Sequence, residues 1–235
     1  MANREVSSVM TELPIFPLDL VLYPNQKIPL RIFEPRYRQM LDNCMSGDRR
    51  FGICRVEQGA EKNGWDGPTN IGTIAHVLKC EDLDLTGTNY YIELIGKERF
   101  NIEKLILPAI DKPLAYNPPN SPSMQTMLQK ASGKPLYFQA EIKILPNLEG
   151  LIEGNKWNEI ITSLKKRIED AANKIGVEFE DFIGFMEHNG LNKEQGSVQD
   201  FYNISSMCSL SLDTQQAILE ASTIDIAIDI LDSEL

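Results

Sequence analysis

The sequence has few of the residues on which metal and redox chemistry depend. Its 235 residues include only four cysteines, with no CxxC pair, and only two histidines. Zinc sites and thioredoxin-like sites need closely spaced cysteine or histidine ligands. We therefore expect no metal site, no cofactor and no disulfide framework, and we expect the cysteines to be buried as reduced thiols.

Long hydrophobic runs are also missing. No stretch approaches the roughly 20 apolar residues that a helix needs to cross a bilayer. The opening residues, MANREVSSVMTELPIF, lack the basic region followed by an apolar run that marks a signal peptide. These absences predict a cytoplasmic protein with no membrane partner.

Positive charge is scarce in the second half of the chain. Residues 1–150 contain 17 basic and 18 acidic side chains, whereas residues 151–235 contain 6 basic and 16 acidic ones. An acidic half repels a phosphate backbone, so nucleic acid is not an expected partner. The shift in charge indicates a domain boundary near Glu149 and Gly150. We expect an N-terminal tail at 1–11, one domain at 12–149 and a second at 150–235.

The first domain shows mainly strand patterns. Residues 13–33 form short β-rich runs broken by prolines, which favour sheet edges and kinks. Apolar residues from Tyr37 to Met45 then follow a helical period after Pro35. Residues 108–135 are rich in proline and predict an irregular connection. The remaining segments with strand patterns are 51–57, 71–80, 89–106 and 138–144.

The second domain shows mainly helical patterns. A long apolar stripe starts at Trp157, with Asn155 as its expected N-cap. The tail TIDIAIDIL fits either a strand or a helix, because its apolar residues satisfy both periods. Further helices are predicted at 179–188, from a Ser197–Asp200 capping box through Cys208, and from an Asp213–Gln216 box through Glu220.

One multi-part pattern extends over roughly residues 12–107. It consists of LPIFPL, VLYP and PLRIFEPRY, followed by DRRFGICRVEQG, IGTIAHVLKC and GKERF. In this pattern and its spacing the chain resembles the family of Lon N-terminal domains. The segments PLYFQAEIKILPN and LSLDTQQAILEAS resemble the last strand and the closing helical part of that family.

The resemblance implies an α+β fold. It consists of an N-terminal PUA-like pseudo-β-barrel with one helix, followed by a C-terminal α-helical bundle in which TIDIAIDIL is the last helix. It also implies a substrate-recognition module of the kind that precedes the ATPase and peptidase of Lon proteases. The 235 residues contain neither a G-x-x-x-x-G-K-[ST] loop nor the peptidase serine motif. We therefore expect a non-enzymatic, proteolysis-related binding protein without catalytic residues.

The candidate binding residues are aromatic, charged and methionine side chains. They lie in or near the EPRY motif, residues 34–37, and near predicted turns. Such surfaces suit extended peptides, and Trp65 is expected to be exposed with them. The expected partners are unfolded or partly folded polypeptides with exposed apolar segments, together with a separate protease or chaperone. The candidates are Arg31, Phe33, Glu34, Arg36, Tyr37, Tyr90, Tyr91, Tyr116, Met124 and Met127.

Two alternatives accompany this interpretation. The charged EPRY residues stand where a helix starts, so a structural role as a cap or ion pair is the simpler explanation for them. A PUA-like barrel also admits small-molecule or RNA binding. That alternative predicts an enclosed polar pocket, or salt-sensitive RNA binding centred on Arg49, Arg50 and Arg55.

Overall fold

The protein is described from a computed structural model that covers residues 11–85, 88–114, 116, 123–174, 176 and 182–234. The chain divides into two compact units, Met1–Pro146 and Asn147–Leu235. We call them the β unit and the helical unit. The described part of the β unit contains strands β1 (Thr11–Leu18), β2 (Lys27–Ile32), β3 (Arg50–Val56), β4 (Pro68–Asp82), β5 (Tyr90–Ile106) and β6 (Phe138–Ile144), with helices α1 (Pro35–Met45) and α2 (Met124–Lys130).

The six strands form one sheet in the order β2-β5-β4-β3-β1-β6. A further pairing between β5 and β6 closes five of the strands into a barrel. Strand β2 pairs with the first half of β5, and β6 pairs with its second half. All pairings are antiparallel except that of β1 with β3. The expected barrel with an early helix is confirmed.

Strand β1 accommodates two prolines because its two ends have different partners. Its first residues, including Pro14, pair with β6, while Pro17 lies in the end that pairs with β3. In the described part of the sheet, each proline therefore has a neighbouring strand on one side only. On its other side the described residues form no ladder of hydrogen bonds that the missing N–H of proline could interrupt. This explains how a proline-rich segment becomes a strand of the barrel.

Apolar side chains fill the barrel in two clusters. One cluster lies under α1 and includes Phe16, Tyr37 and Phe51. The other includes Trp65, Phe100 and Phe138. All six of these aromatic side chains are buried, so the barrel interior is a packed core.

Part of the connection at 108–135 is helical, which its composition does not predict. It contains α2, which Ser123 caps by accepting a hydrogen bond from the backbone N–H of Thr126. The prediction of an irregular segment was therefore wrong for residues 124–130. Residues 115 and 117–122 lie outside the described part of the chain.

The helical unit contains two short strands and five helices in its described residues. Helix α3 begins at Gly154, so Asn155 lies inside the helix and the predicted cap was wrong. The Ser197–Asp200 capping box is confirmed. The elements are β7 (Leu151–Ile152), α3 (Gly154–Lys174), α4 (Phe182–His188), β8 (Gly196–Ser197), α5 (Val198–Met207), α6 (Leu212–Glu220) and α7 (Ile224–Asp232).

The structure also tests the predictions for the tail, for the start of α6 and for the helix at 179–188. The ambiguous tail is helix α7, and its residues Ile224, Ala227 and Leu231 are buried. Helix α6 is capped by Ser211, which accepts from the N–H of Thr214, so the predicted Asp213–Gln216 box was wrong. Of the helix predicted at 179–188, residues 179–181 lie outside the described chain.

The four cysteines are free thiols. Cys44, Cys54 and Cys208 are buried, whereas Cys80 is partly exposed. Burial raises the pKa of the Cys44 thiol to about 12 and that of Cys208 to about 11. A thiol reacts through its thiolate, so these buried groups are unreactive near neutral pH.

Gly96 allows the turn before β2 to pack closely on β5. The N–H of Asn25 donates to the carbonyl of Gly96, and the N–H of Gly96 donates to the carbonyl of Gln26, each over 2.9 Å. A Cβ at position 96 would stand 2.2 Å from the carbonyl oxygen of Tyr23. Only glycine therefore fits here without moving the turn.

We expect Gly96→Ala to lower the free energy of unfolding by about 1–3 kcal/mol, because the added methyl group overlaps the backbone. Urea denaturation followed by circular dichroism measures the change. Gly47→Ala is the matched control, since a Cβ at position 47 meets nothing closer than 3.6 Å. Equal stability of the two variants would contradict the close approach.

Asp200 gives the helical unit a pH-dependent cap. Burial alone would raise its pKa, but hydrogen bonds from Lys193 and Ser197 outweigh burial and hold the pKa below its ordinary value. Lys193 Nζ donates over 2.7 Å, and the backbone N–H of Ser197 donates over 2.9 Å. The carboxylate therefore favours the folded state when it is ionised.

We expect Asp200→Asn to destabilise the protein most at neutral pH. The difference from wild type should shrink as the pH falls below about 4, because the carboxylate then becomes protonated in the unfolded and later in the folded chain. Urea denaturation at several pH values measures it. Asp225→Asn, at an exposed first-turn position of α7, is the control. A difference that grows toward acidic pH would contradict the assignment.

Candidate functional site

The structure places seven of the ten candidate residues in two groups, a largely buried cluster and a surface set. Glu34, Arg36, Tyr37 and Tyr116 come together in one polar and aromatic cluster. Arg31, Phe33 and Tyr91 lie on an exposed part of the sheet. Tyr90, Met124 and Met127 belong to neither group.

Arg36 is the centre of the buried cluster. Its guanidinium carbon lies 4.2 Å from the ring centroid of Tyr37 and 4.2 Å from that of Trp65, so the cation is stacked against two aromatic rings. Its Nε donates to Glu34 over 3.1 Å. Arg36 is only 6% exposed. Cation–π contacts are strongest when the cation is desolvated, as it is here.

Tyr116 fastens the connection after β5 to this cluster. Its hydroxyl donates to Glu34 Oε2 over 2.9 Å, and its ring meets that of Trp65 edge-on at 4.8 Å. Trp65 Nε1 donates to the carbonyl of Ile110 over 2.9 Å. Burial, followed by the charge of Glu34, raises the pKa of Tyr116, so its hydroxyl remains a donor.

These contacts favour the structural role for the EPRY motif. Arg36 and Tyr37 are buried, and Glu34 already accepts hydrogen bonds from two partners. Trp65 and Met127 are at most 1% exposed, so the expectation that they are surface residues was wrong. Met127 packs into the barrel core because α2 folds back onto it.

The surface set lies where β2, β5 and β4 run side by side. Arg31 of β2 is opposite Tyr91 of β5, which is opposite Glu81 of β4. Alternate residues of a strand point to opposite faces of the sheet. We call this exposed side the outer face, and it includes Lys27, Pro29, Arg31, Phe33, Lys79, Glu81, Leu83, Tyr91, Glu93 and Ile95.

The opposite side of the same strands faces the barrel core. Ile32 and Ile92 are buried in the first core cluster, and Tyr90 packs against it while partly buried. Tyr90 therefore points away from Tyr91. Met124, at the start of α2, is partly exposed in another part of the fold.

Apolar side chains collect at one end of the outer face. Phe33 is 44% exposed directly after β2, and Leu83 is 49% exposed directly after β4. The N–H of Leu83 donates to the carbonyl of Asn89 over 2.9 Å, which extends the β4–β5 hairpin to this level. Leu85, in the turn, is 91% exposed. Sequence reasoning missed both leucines because they stand among acidic residues, in EDLDL.

Charged side chains of both signs occupy much of the rest of the outer face. Lys79 Nζ lies 2.9 Å from Glu81, and the hydroxyl of Tyr91 donates to Glu93 over 3.4 Å. Across the residues that the structure describes, Lys27 and Arg31 make no side-chain hydrogen bond or ion pair. The positive charges along β2 are therefore left for solvent or for a partner.

Metal binding and membrane insertion find no support in the described residues. None of their histidine, cysteine and acidic side chains form a group of three or more that could hold a metal ion. This applies also to Glu81 and Asp82, at the end of β4, and to Asp84, just after it. Over the same residues, every helix is too short or too polar to cross a bilayer.

A cavity of about 470 Å³ lies in the helical unit, between the end of α3 and the end of α5. Lys166, Arg167 and Lys174 line it together with Asp170 and Glu234. Arg167 donates a hydrogen bond to the backbone carbonyl of Glu234. The lining of the cavity therefore carries charges of both signs.

A double-mutant cycle of Glu34→Gln and Tyr116→Phe tests the buried cluster. We expect Tyr116→Phe to lower the free energy of unfolding by about 1.5–3 kcal/mol, because a hydrogen bond to a charged group is lost. The two changes together should cost less than the sum of the single changes. Tyr91→Phe, which removes only a long surface contact, should cost less than about 0.5 kcal/mol. Additive effects in the cycle would contradict the coupling of these residues.

Two curated proteins are similar to this chain over part of their length. A Lon protease from Desulfosudis oleivorans is 31% identical over 102 residues, which are 42% of this chain and 12% of the relative. Protein cereblon from Danio rerio is 27% identical over 95 residues, which are 40% of this chain and 22% of that protein. The chain therefore spans only a small part of either relative.

Two solved structures share the fold over almost the whole chain. A Lon N-terminal domain protein from Xanthomonas campestris has a TM-score of 0.59 and 17% identity, with 96% of this chain and 97% of that chain covered. The N-terminal domain of Lon protease from Mycobacterium avium complex has a TM-score of 0.58 and 12% identity, with 95% and 97% covered. These likenesses confirm the α+β fold class.

A model of a known protein family matches most of the chain. The model of the substrate-binding domain of ATP-dependent protease La (LON) matches residues 12–231, which include both the barrel and the helices. The match extends through α6 and most of α7, so it is not limited to the region of the short sequence motifs. The chain belongs to the family of LON substrate-binding domains.

Proposed function

We propose that this protein binds extended, unfolded polypeptide segments on the outer face of its β unit. One observation carries the proposal: exposed Phe33, Leu83 and Leu85 gather at one end of a sheet whose outer side also presents Tyr91. Exposed apolar residues that cluster beside polar ones are typical of interaction sites. The binding breaks no covalent bond.

The position of β2 favours an extended ligand. In the part of the sheet that the structure describes, β2 has β5 as its one strand partner, so its other side is an edge. Peptides bind such edges by lying alongside the strand and placing alternate side chains on one face. Pro29 lacks an N–H and Lys27 is charged, and both features discourage a complete ladder. Side-chain contacts with the outer face therefore supply most of the selectivity.

The family supports the class of ligand. As a LON substrate-binding domain, the chain is a Lon-like substrate-recognition module. In these 235 residues the matches identify this domain and neither an ATPase nor a protease domain. Delivery of the bound polypeptide to a separate protease or chaperone in the cytoplasm fits this arrangement. We include both the partner and the location in the proposal.

The alternative of small-molecule or RNA binding has less support. Among the described residues, aromatic and aliphatic side chains pack inside the barrel, whereas this alternative calls for an enclosed polar pocket there. Arg50, one of the three arginines considered for RNA, forms a 2.5 Å ion pair with Asp48. No specific observation favours either ligand over a polypeptide.

We also propose that residues 12–149 and 150–235 are separate domains. The β unit has its own core clusters, and the helical unit buries Trp157, Ile160 and Leu164 of α3. Amide hydrogen exchange of the Asp200→Asn variant, compared with that of wild type, tests this division. Faster exchange should be confined to residues after 150, and an equal increase in the barrel strands would contradict it.

Binding of a reduced, carboxymethylated protein tests the proposed function. We expect wild type to bind this unfolded chain in calorimetry, and we expect Phe33→Ser combined with Leu83→Ser to weaken binding about tenfold. Both changes are at exposed positions, so circular dichroism should show an unchanged fold. Ile226→Ser is a control at a similarly exposed apolar residue of the helical unit, 45% exposed. Absence of binding by the folded wild type would overturn the proposal.

A further inference from the structure

The outer face has an uneven distribution of charge. Of its three cations, Lys79 is paired with Glu81 on β4. The other two, Lys27 and Arg31, are exposed on β2 and make no ion pair with any described residue. Glu93 stands opposite Pro29 on the neighbouring strand and accepts the hydroxyl of Tyr91. The edge of the face is therefore positive, although its interior is nearly balanced.

The two edge cations have a fixed spacing. They are four residues apart on one regular strand, which places them on the same face about 13 Å from each other. The register of β2 with β5 fixes both, because Lys27 is opposite Ile95 and Arg31 is opposite Tyr91. Phe33 follows two residues later and is exposed. Along the edge, the cation of Lys27 is therefore followed by Pro29, by the cation of Arg31 and by the aromatic ring of Phe33.

An extended segment that lies beside β2 has the same repeat. Its alternate side chains face outward at about 6.6 Å intervals, so residues four positions apart match the spacing of Lys27 and Arg31. Opposite charges on neighbouring strands attract, and like charges repel. An apolar residue two positions beyond the second charge would meet Phe33. The pattern that complements this edge is acidic, variable, acidic, apolar at alternate positions.

We infer that the outer face selects extended polypeptide segments that carry two carboxylates four positions apart next to an apolar residue. The inference rests on the proposed function and specifies its ligand. The selection acts through Lys27 and Arg31, and the apolar contact acts through Phe33 and Leu83. Because the edge cations are exposed, the preference is moderate and weakens as salt is added.

Three synthetic peptides test the inference. All three share one twelve-residue sequence of alternating serine and valine that contains two variable sites. A phenylalanine lies two positions before the first variable site, and another lies two positions after the second. The two variable sites, four positions apart, contain aspartate, asparagine or lysine. We expect wild type to bind the aspartate peptide about tenfold more tightly than the asparagine peptide, and the lysine peptide most weakly. Calorimetry at low and at high salt measures the three affinities.

Two variants assign the preference to the edge. Lys27→Gln with Arg31→Gln should abolish the difference between the aspartate and asparagine peptides, and Lys27→Glu with Arg31→Glu should favour the lysine peptide. Lys62→Glu with Lys143→Glu makes the same change in net charge as the pair of glutamate substitutions, at exposed sites away from β2. This control should keep the wild-type order. If it loses the order as well, the preference reflects net charge and the inference is wrong.

The outcomes separate the two proposals. Equal affinity of wild type for all three peptides would overturn the charge selection while the proposed function stands. Failure of all three peptides and of the unfolded protein to bind would overturn the proposed function itself. An aspartate preference that survives Lys27→Gln with Arg31→Gln would place the selection elsewhere and contradict the inference.

Discussion

The backbone pairing of β5 is the constraint on which the β unit depends. This 17-residue strand pairs with β4 along one side and with β2 and then β6 along the other. Pairing with β6 closes the barrel, whereas pairing with β2 adds a strand outside the closed ring. The same strand therefore sets the core and the outer face. Gly96, near its middle, lets the turn before β2 approach β5 closely.

The burial of Arg36 explains how a motif can look functional and yet be structural. A charged group is costly to bury unless other groups replace the water that it loses. Here Glu34 supplies the opposite charge, and the rings of Tyr37 and Trp65 pack against the guanidinium. Tyr116 adds a hydrogen bond to the same carboxylate. The charged and aromatic side chains of the EPRY motif thus make contacts within the folded protein.

Much of the fold could be predicted from local patterns, since the strand and helix periods and the Ser197–Asp200 box are encoded in neighbouring residues. Contacts between distant residues could not. Trp65 is buried because Ile110 and Tyr116, about 50 positions away, close over it. Of the surface set, the sequence suggested Arg31, Phe33 and Tyr91 but not that they share a face with Leu83. That depends on the register of three strands, which period alone does not define.

Each of the two units contains one tryptophan, and the two indoles have different surroundings. Trp65 lies against the cation of Arg36, whereas Trp157 packs so closely on Gly196 that a Cβ there would stand 2.2 Å from its ring. A neighbouring positive charge shifts the emission of an indole, and an apolar neighbour does not shift it in the same way. The intrinsic fluorescence of the unmodified chain therefore contains two separate optical signals, one from the barrel and one from the helices.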